Sequence, residues 1–401
     1  MSDIRAALFV VLSLLIPSCA NSQNLAIVGA KIYTSPEAQP VDGATIMIRD
    51  GTITAVGKHS RIPKDTRILS CTGCVVCAGF WNSHVHFSEP KWLDAAHQPA
   101  AKLAQQLQQM LTRSGFTTVV DVGSDPNNTI ALRRRIETGD VLGPHIYTAG
   151  APLYPPHAIP YYLVDLPPQV LASLPQPSTP AEAVEAVQQN IALGTDVAKL
   201  FTGSYVSQGK IVVMPQAIAE AAVQTAHEHS QLVFAHPSNL EGTRVAIRSG
   251  VDVLAHAPDT VDGIDDALLH EMLAHRTAMI PTLKLFSGES DIAPIRRIVA
   301  RFHQLGGQLI FGTDTGFLTD YDMTEEYRQL ALAGLTWRDV LTMLTTAPAG
   351  RFRVGDRQGR IAVGMAGDLS VLSEDPAAGD PLAFTHVRYT IRAGRVLFST
   401  P

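Results

Sequence analysis

The chain has 401 residues, 46% of them hydrophobic and 17% charged, with a formal net charge of −6. That supplies a sizeable core, arranged as two or three domains or as one large α/β barrel with an appendage. The mild negative charge, with no basic run longer than the three arginines at 133–135, argues against a nucleic-acid partner.

In chain order, Arg5 precedes an apolar run over residues 6–16 that is too short to span a bilayer and reads as an export signal. The run ends in Ile16-Pro17-Ser18-Cys19, similar to a bacterial lipobox in which Cys19 becomes the lipidated mature N-terminus. Ordinary cleavage near Ala20, or a buried N-terminal element, are the alternatives. The expected location is exported, either periplasmic or tethered to the membrane by a single lipid anchor.

Residues 25–28, 44–48 and 53–56 are short apolar runs separated by turn residues such as Asp50-Gly51, which is strand-and-hairpin chemistry. Cys71, Cys74 and Cys77 come next, in C-x-x-C-x-x-C spacing. No fourth ligand is near for a zinc knuckle. They read as small buried residues of a strand, or as one disulfide in an oxidising compartment.

From 79 to 350 the pattern changes. Buried-type strands recur at 117–121, 145–149, 197–201, 232–236, 253–256, 279–282 and 309–312. Helical stretches such as 181–193, 215–229 and 264–275 alternate with them. This alternation predicts a parallel sheet closed as a (β/α)8 TIM barrel. Proline-rich segments at 152–160 and 167–180 read as a long loop over the active face. The tail returns to short strands at 361–363, 369–372, 389–392 and 395–398. The expected architecture is therefore α/β. A signal occupies 1–19, a barrel spans 79–350, and a small composite β-sandwich is built from 24–78 plus 351–401.

His84 and His86 form H-x-H at the end of the first barrel strand. Residues i and i+2 of a strand project from one face, so both imidazoles can reach one ion. Alone the pair is weak evidence, since two hydrogen-bonded histidines would also explain it. His236, His256 and Asp314, however, each end a further apolar run. The C-terminal strand ends of a barrel converge on one face. Nitrogen and oxygen donors with an open water position make a catalytic zinc-type site.

The segments that carry this pattern are Gly79-Phe80-Trp81-Asn82-Ser83-His84, Gly194-Thr195-Asp196-Val197-Ala198-Lys199 and Gly250-Val251-Asp252-Val253-Leu254-Ala255-His256. Pro281-Thr282-Leu283, Gly312-Thr313-Asp314, Thr346-Ala347-Pro348-Ala349 and Gly364-Met365-Ala366-Gly367-Asp368-Leu369 continue it. Together they resemble the amidohydrolase superfamily, in its prolidase-like and imidazolonepropionase-like branch, over nearly the whole mature chain. The resemblance implies two divalent ions, zinc by default with manganese or cobalt able to replace it. His84, His86 and Asp314 would bind one ion, and His236 and His256 the second. Lys199 matches the family's bridging lysine, carboxylated by carbon dioxide. Burial lowers the pKa of a strand lysine, and a neutral amine can form that carbamate. The family usually has Asp where this chain has Asn82, which can accept a hydrogen bond but adds no negative charge.

The resemblance also implies hydrolysis of a C–N bond by a metal-bridged hydroxide, with Asp314 as ligand and proton shuttle. His256 or Tyr205 would orient the substrate carbonyl. Tyr154, His157, Tyr161 and Tyr162 on the proline-rich loop are candidate substrate contacts, and Arg244 and Lys210 candidate partners for a substrate carboxylate. Small molecules are the expected substrates: Xaa-Pro-like dipeptides or N-acyl amino acids. Two alternatives stand beside this reading. One is a mononuclear cyclic-amide hydrolase or deaminase, which needs no bridging lysine. The other is a non-catalytic metal- or ligand-binding lipoprotein, which would be expected to have lost Lys199 or Asp314.

Overall fold

The structure is a computed structural model that describes residues 24–400 apart from 59, 60, 289 and 290. The leader and Cys19 lie outside the described residues. β1 (Leu25–Ile32), β2 (Val41–Arg49) and β3 (Thr52–Gly57) form an antiparallel meander. Asp50 and Gly51 turn the second hairpin with φ of 49° and 74°, the left-handed pair such a tight reversal needs. β4 (Arg67–Ser70) and β5 (Val75–Ala78) both run parallel to β1. β1 changes partner along its length, pairing Leu25 to Val28 with β4 and Lys31 and Ile32 with β5.

Cys71 and Cys74, expected first as buried thiols, are joined as a disulfide, while Cys77 is free and buried. A turn in which Cys74 N donates to Cys71 O brings their Cα atoms to 5.1 Å, inside the span a disulfide requires.

Parallel strands then succeed one another: β6 (Phe80–Val85), β7 (Phe116–Asp121), β8 (His145–Thr148) and β9 (Val197–Phe201). A hairpin of β10 (Gly203–Ser207) and β11 (Lys210–Val213) intervenes before β12 (Leu232–His236), β13 (Val253–Leu254) and β14 (Ala278–Met279). One arc is ordered β6-β7-β8 and the other β14-β13-β12-β9. A few backbone bonds join the arcs. Asp196 N donates to Thr148 O, Met279 N to Gln308 O, and Ser83 N to Phe311 O. Residues 308–311 thus take the place of the expected last strand, with bonds to both neighbours but little ladder. The result is a TIM-barrel-type α/β fold. Val120, Phe234, Ile280 and Ile310 share one buried cluster in its interior. Val197 and Phe234 belong to that cluster, so Lys199 and His236, two residues further on, share the same inward face at the C-terminal end.

Two segments differ from expectation. The loop after β9 is the β10–β11 hairpin, in which Gly203, Ser204 and Tyr205 pair with Val213, Val212 and Ile211 across a turn at Gly209. The proline-rich loop contains a short helix, Pro168–Ser173, which Pro168 can start because a first-turn residue needs no amide donor. Among the described residues no helix is long and apolar enough to cross a membrane.

β15 (Leu369–Leu372), β16 (Val387–Arg392) and β17 (Arg395–Ser399) return the chain to its start. The joint sheet is ordered β17-β16-β15-β5-β1-β2-β3. Leu25, Ile46, Val76, Leu369 and Ile391, drawn from both ends of the chain, share its core. The expected segment 361–363 is not a strand but is bonded through Ile361 N to Thr34 O. Phe80 N and Ser370 Oγ, and the Glu137–Arg392 ion pair, tie this sheet to the barrel.

Candidate active site

The six expected ligands lie toward the C-terminal ends of the barrel strands; five are buried and His86 is half-buried, with 18% of its side chain exposed. His84 lies at the end of β6, and His86 is two residues beyond it. Their Nδ1 atoms lie 2.7 Å from Ala255 O and 2.7 Å from Gly123 O respectively. A carbonyl can only accept, so each ring donates from Nδ1 and its neutral form presents a bare Nε2. The two Nε2 atoms are 3.2 Å apart and lie 3.1 and 3.0 Å from Asp314 Oδ1. Asp314 Oδ1 is buried and makes no hydrogen bond. With both rings neutral, three electron-rich atoms face one point, an arrangement that a cation relieves.

Asp314 holds a left-handed backbone with φ of 57°, a conformation that costs a non-glycine residue about 1–3 kcal/mol. Its amide donates to His84 O, and its carbonyl accepts from Phe317 N and Leu318 N. Gly316 makes the bend possible. A Cβ there would lie 2.0 Å from His86 O, and its φ is 106°. Asn82 is buried below: Nδ2 donates to Thr313 Oγ1 at 2.7 Å, and Oδ1 accepts from His84 N at 3.2 Å. It braces the first and last strand segments as a neutral group.

The second set is built differently. His236 ends β12, its ring stacked on Phe201 at 4.8 Å and 4.7 Å from the His256 ring. His256 Nδ1 lies 2.8 Å from Thr282 Oγ1, whose hydroxyl proton goes to Pro281 O at 2.9 Å. The Thr282 oxygen therefore accepts, and His256 too presents Nε2 to the site. Thr282 itself has φ of 44°. The His256 ring is 4.4 Å from that of His84, which joins the two sets. His84, His256 and Asp314 place ligand atoms within 4.8 Å of one another.

Lys199 is buried on β9, with Nζ 5.3 Å from the centre of the Phe201 ring. Burial lowers its pKa to about 8, partly offset by the charges of Asp314 and Asp121. Burial likewise lowers His84 to about 4 and takes His256 well below its ordinary value. These shifts favour uncharged donors at Lys199, His84 and His256; at His86 burial acts the same way but the Asp314 carboxylate outweighs it and raises the pKa. Burial opposes ionisation of Asp314, yet the neighbouring His84 and His86 hold it well below the usual carboxylate range. Bare imidazole nitrogens, an ionised carboxylate and an orphaned acceptor fit a divalent cation held by nitrogen and oxygen.

Of the expected substrate contacts, Tyr154 is buried and its ring lies 4.6 Å from that of Phe201. His157 is exposed at a turn with φ of 53°, and Tyr205 is half-buried in β10 opposite Ile211. Tyr161 and Tyr162 are exposed, and Tyr162 packs against Phe317, three residues beyond Asp314. Arg244 is engaged by Glu241 on the exposed side of a helix, and Lys210 is exposed in the hairpin. Two residues given no role from sequence enter the site: Thr282, which orients His256, and Asp259, whose Oδ2 lies 3.5 Å from His236 Nε2. The one hint of Asp259 was an acid three residues after a strand-ending histidine.

This is a barrel-type hydrolase architecture with a cation-ready pocket at the strand ends. Residues 75–397 match the amidohydrolase family, and the chain belongs to it. It is a hydrolase of C–N bonds on the prolidase-like branch. Ochratoxinase from Aspergillus niger is 22% identical, covering 93% of this chain and 87% of its own. The structure of a Bifidobacterium longum protein assigned as a prolidase is 27% identical with TM-score 0.78, covering 94% of each chain. A Xaa-Pro dipeptidase with methionine bound in its active site is similar in fold, at 20% identity, TM-score 0.79, and coverage of 94% and 100%.

Proposed function

We propose that the chain is a binuclear metallo-hydrolase of small amides, acting on Xaa-Pro-like dipeptides or N-acyl amino acids. His84, His86 and Asp314 would hold one ion and His236 and His256 the other, zinc being the default. Lys199, as a carbamate, would bridge them. The observation that carries this reading is the convergence of Asp314 Oδ1 with two histidine Nε2 atoms, buried and with no hydrogen bond to Oδ1. Bound there, divalent ions supply Lewis acidity and a water acidic enough to ionise near neutral pH.

The protein's own contribution is positional. Ala255 O, Gly123 O and Thr282 Oγ1 fix three imidazoles in one tautomer, so the pocket is formed before substrate arrives. Asp314, buried and held by its left-handed turn, would accept the proton of the attacking water and deliver it to the departing amine. Tyr154 and Tyr162 line the substrate side, and His256 or Tyr205 orients the scissile carbonyl.

The same reading divides the chain into a barrel at 79–350 and a sandwich of 24–78 with 351–401. It also takes 1–19 as an export signal that leaves Cys19 lipidated. The Cys71–Cys74 disulfide suits an oxidising compartment. Mass analysis of the mature N-terminus tests the leader, since an unmodified Met1 would exclude it.

A one-ion reading draws on the compact His84, His256 and Asp314 group. Elemental analysis separates the two readings, paired with Lys199→Ala and a panel of dipeptides and N-acyl amino acids. About two equivalents of metal, falling together with activity in the variant, are expected of a two-ion site. One equivalent unaffected by loss of Lys199 would favour the mononuclear enzyme.

A further inference from the structure

We propose that Asp259 is a third side-chain ligand of the second metal ion, making that site His236, His256 and Asp259. The inference rests on reading the pocket as a two-ion hydrolase, and it adds a ligand to that set.

Asp259 Oδ2 and His236 Nε2 are 3.5 Å apart. Were they an ordinary ion pair, the ring N–H would point at the carboxylate and form a hydrogen bond. It does not: His236 Nε2 is buried without a partner, and so is Asp259 Oδ1. The His236 side chain is only 9% exposed, so water does not take the partner's place. Among the described residues His236 is the one ion-pair partner of Asp259, and no lysine or arginine neutralises it. A carboxylate with one oxygen buried and unpartnered, beside an unpartnered imidazole nitrogen, is costly unless a cation lies between them.

The spacing is that of co-ligands. Two donors each about 2.0–2.2 Å from a tetrahedral ion stand roughly 3.3 Å apart. The first set has the same pattern, with Asp314 Oδ1 at 3.1 and 3.0 Å from His84 and His86. Asp259 thus stands to His236 as Asp314 does to the H-x-H pair. The loop that carries it is fixed. Thr260 N donates to Ser238 O, two residues beyond His236, and Ala257 N donates to Pro281 O beside Thr282. Pro258 restricts the backbone immediately before the carboxylate. Two imidazoles, one carboxylate and an open position form a familiar zinc donor set.

The test is metal binding, independent of turnover. Wild type, Asp259→Asn and Asp259→Ala, stripped by chelator, would be titrated with Zn²⁺ and with Co²⁺ by calorimetry, with bound metal counted by elemental analysis. The first equivalent should bind as in wild type, which also reports a folded pocket. The second should weaken by about 100-fold or more in both variants, beyond what loss of an outer contact causes. Two equivalents held at wild-type affinity by both variants would overturn the proposal and leave the two-ion reading intact. Loss of both equivalents together would overturn it as well, because Asp259 would then support the whole pocket. A wild type that binds a single equivalent would remove both the proposal and the two-ion reading.

Discussion

The two halves of the pocket are held by different means. His84 and His86 are oriented by backbone carbonyls, Ala255 O and Gly123 O, that no single side-chain substitution removes. His256 depends on a hydroxyl, Thr282 Oγ1, and His236 has its Nε2 unpartnered beside Asp259. A half built on main chain is fixed by the fold. A half built on side chains can be adjusted one residue at a time, and that is where the site is open to mutational tuning.

The largest effect should come from breaking the main-chain half at its carboxylate. Asp314→Ala should lower kcat/KM by about 10⁴-fold or more, the scale seen when a member of a catalytic unit is lost. Steady-state kinetics with metal analysis would check this, and a variant within tenfold of wild type would remove Asp314 from the chemistry.

A smaller effect sharpens the contrast. Thr282→Val keeps the shape of the side chain but frees His256 Nδ1, and should cost about 10- to 100-fold in metal affinity or activity. The defect should fall on the second equivalent alone. Equal weakening of both equivalents would show that the halves are not independent.

The last effect falls on folding stability rather than on the chemistry, and concerns the support beneath Thr282. Glu326 is fully buried, and its Oε2 accepts from Lys284 N at 2.7 Å in the turn just after Thr282. Burial raises its pKa from 4.5 to about 7. Between those values the unfolded chain has ionised the group and the folded protein has not. The unfolded state then holds fewer protons, and stability falls as pH rises through this window. The loss is complete above about pH 7 and amounts to about 3 kcal/mol. Glu326→Gln should lose this dependence, as read by urea unfolding at pH 5 and pH 8. A variant with the wild-type pH response would show that another group is responsible.

Much of the site was legible because a barrel puts its chemistry at strand ends. His84, His236, His256 and Asp314 each close an apolar run, and all four meet. The H-x-H spacing came from strand geometry, whereas Lys199 was visible through the family resemblance and the cost of a charged lysine in an apolar strand. Thr282 was visible only as part of Pro281-Thr282-Leu283, since a hydroxyl's role depends on what lies across the barrel from it. Asp259 is on a loop, where no periodicity predicts direction. The carbonyls of Ala255 and Gly123 have no residue-type signature at all. The β10–β11 hairpin was missed because its few alternating residues sit in a stretch that reads as a loop between strand and helix. For Cys71 and Cys74, spacing alone could not separate buried thiols from a bonded pair.

The partner-switching of β1 and the seat of β15 beside β5 set the order of events in synthesis. β5 is hydrogen-bonded on one side to β1 and on the other to β15, nearly three hundred positions later in the chain. Until the last strands leave the ribosome, Val75 and Val76 present an apolar edge with no partner, the kind of edge that joins other chains. Closing such a distant pairing is also slow. The nascent protein therefore carries an adhesive margin for most of its translation, and its yield in a cell should depend on how well that margin is shielded until β15 arrives.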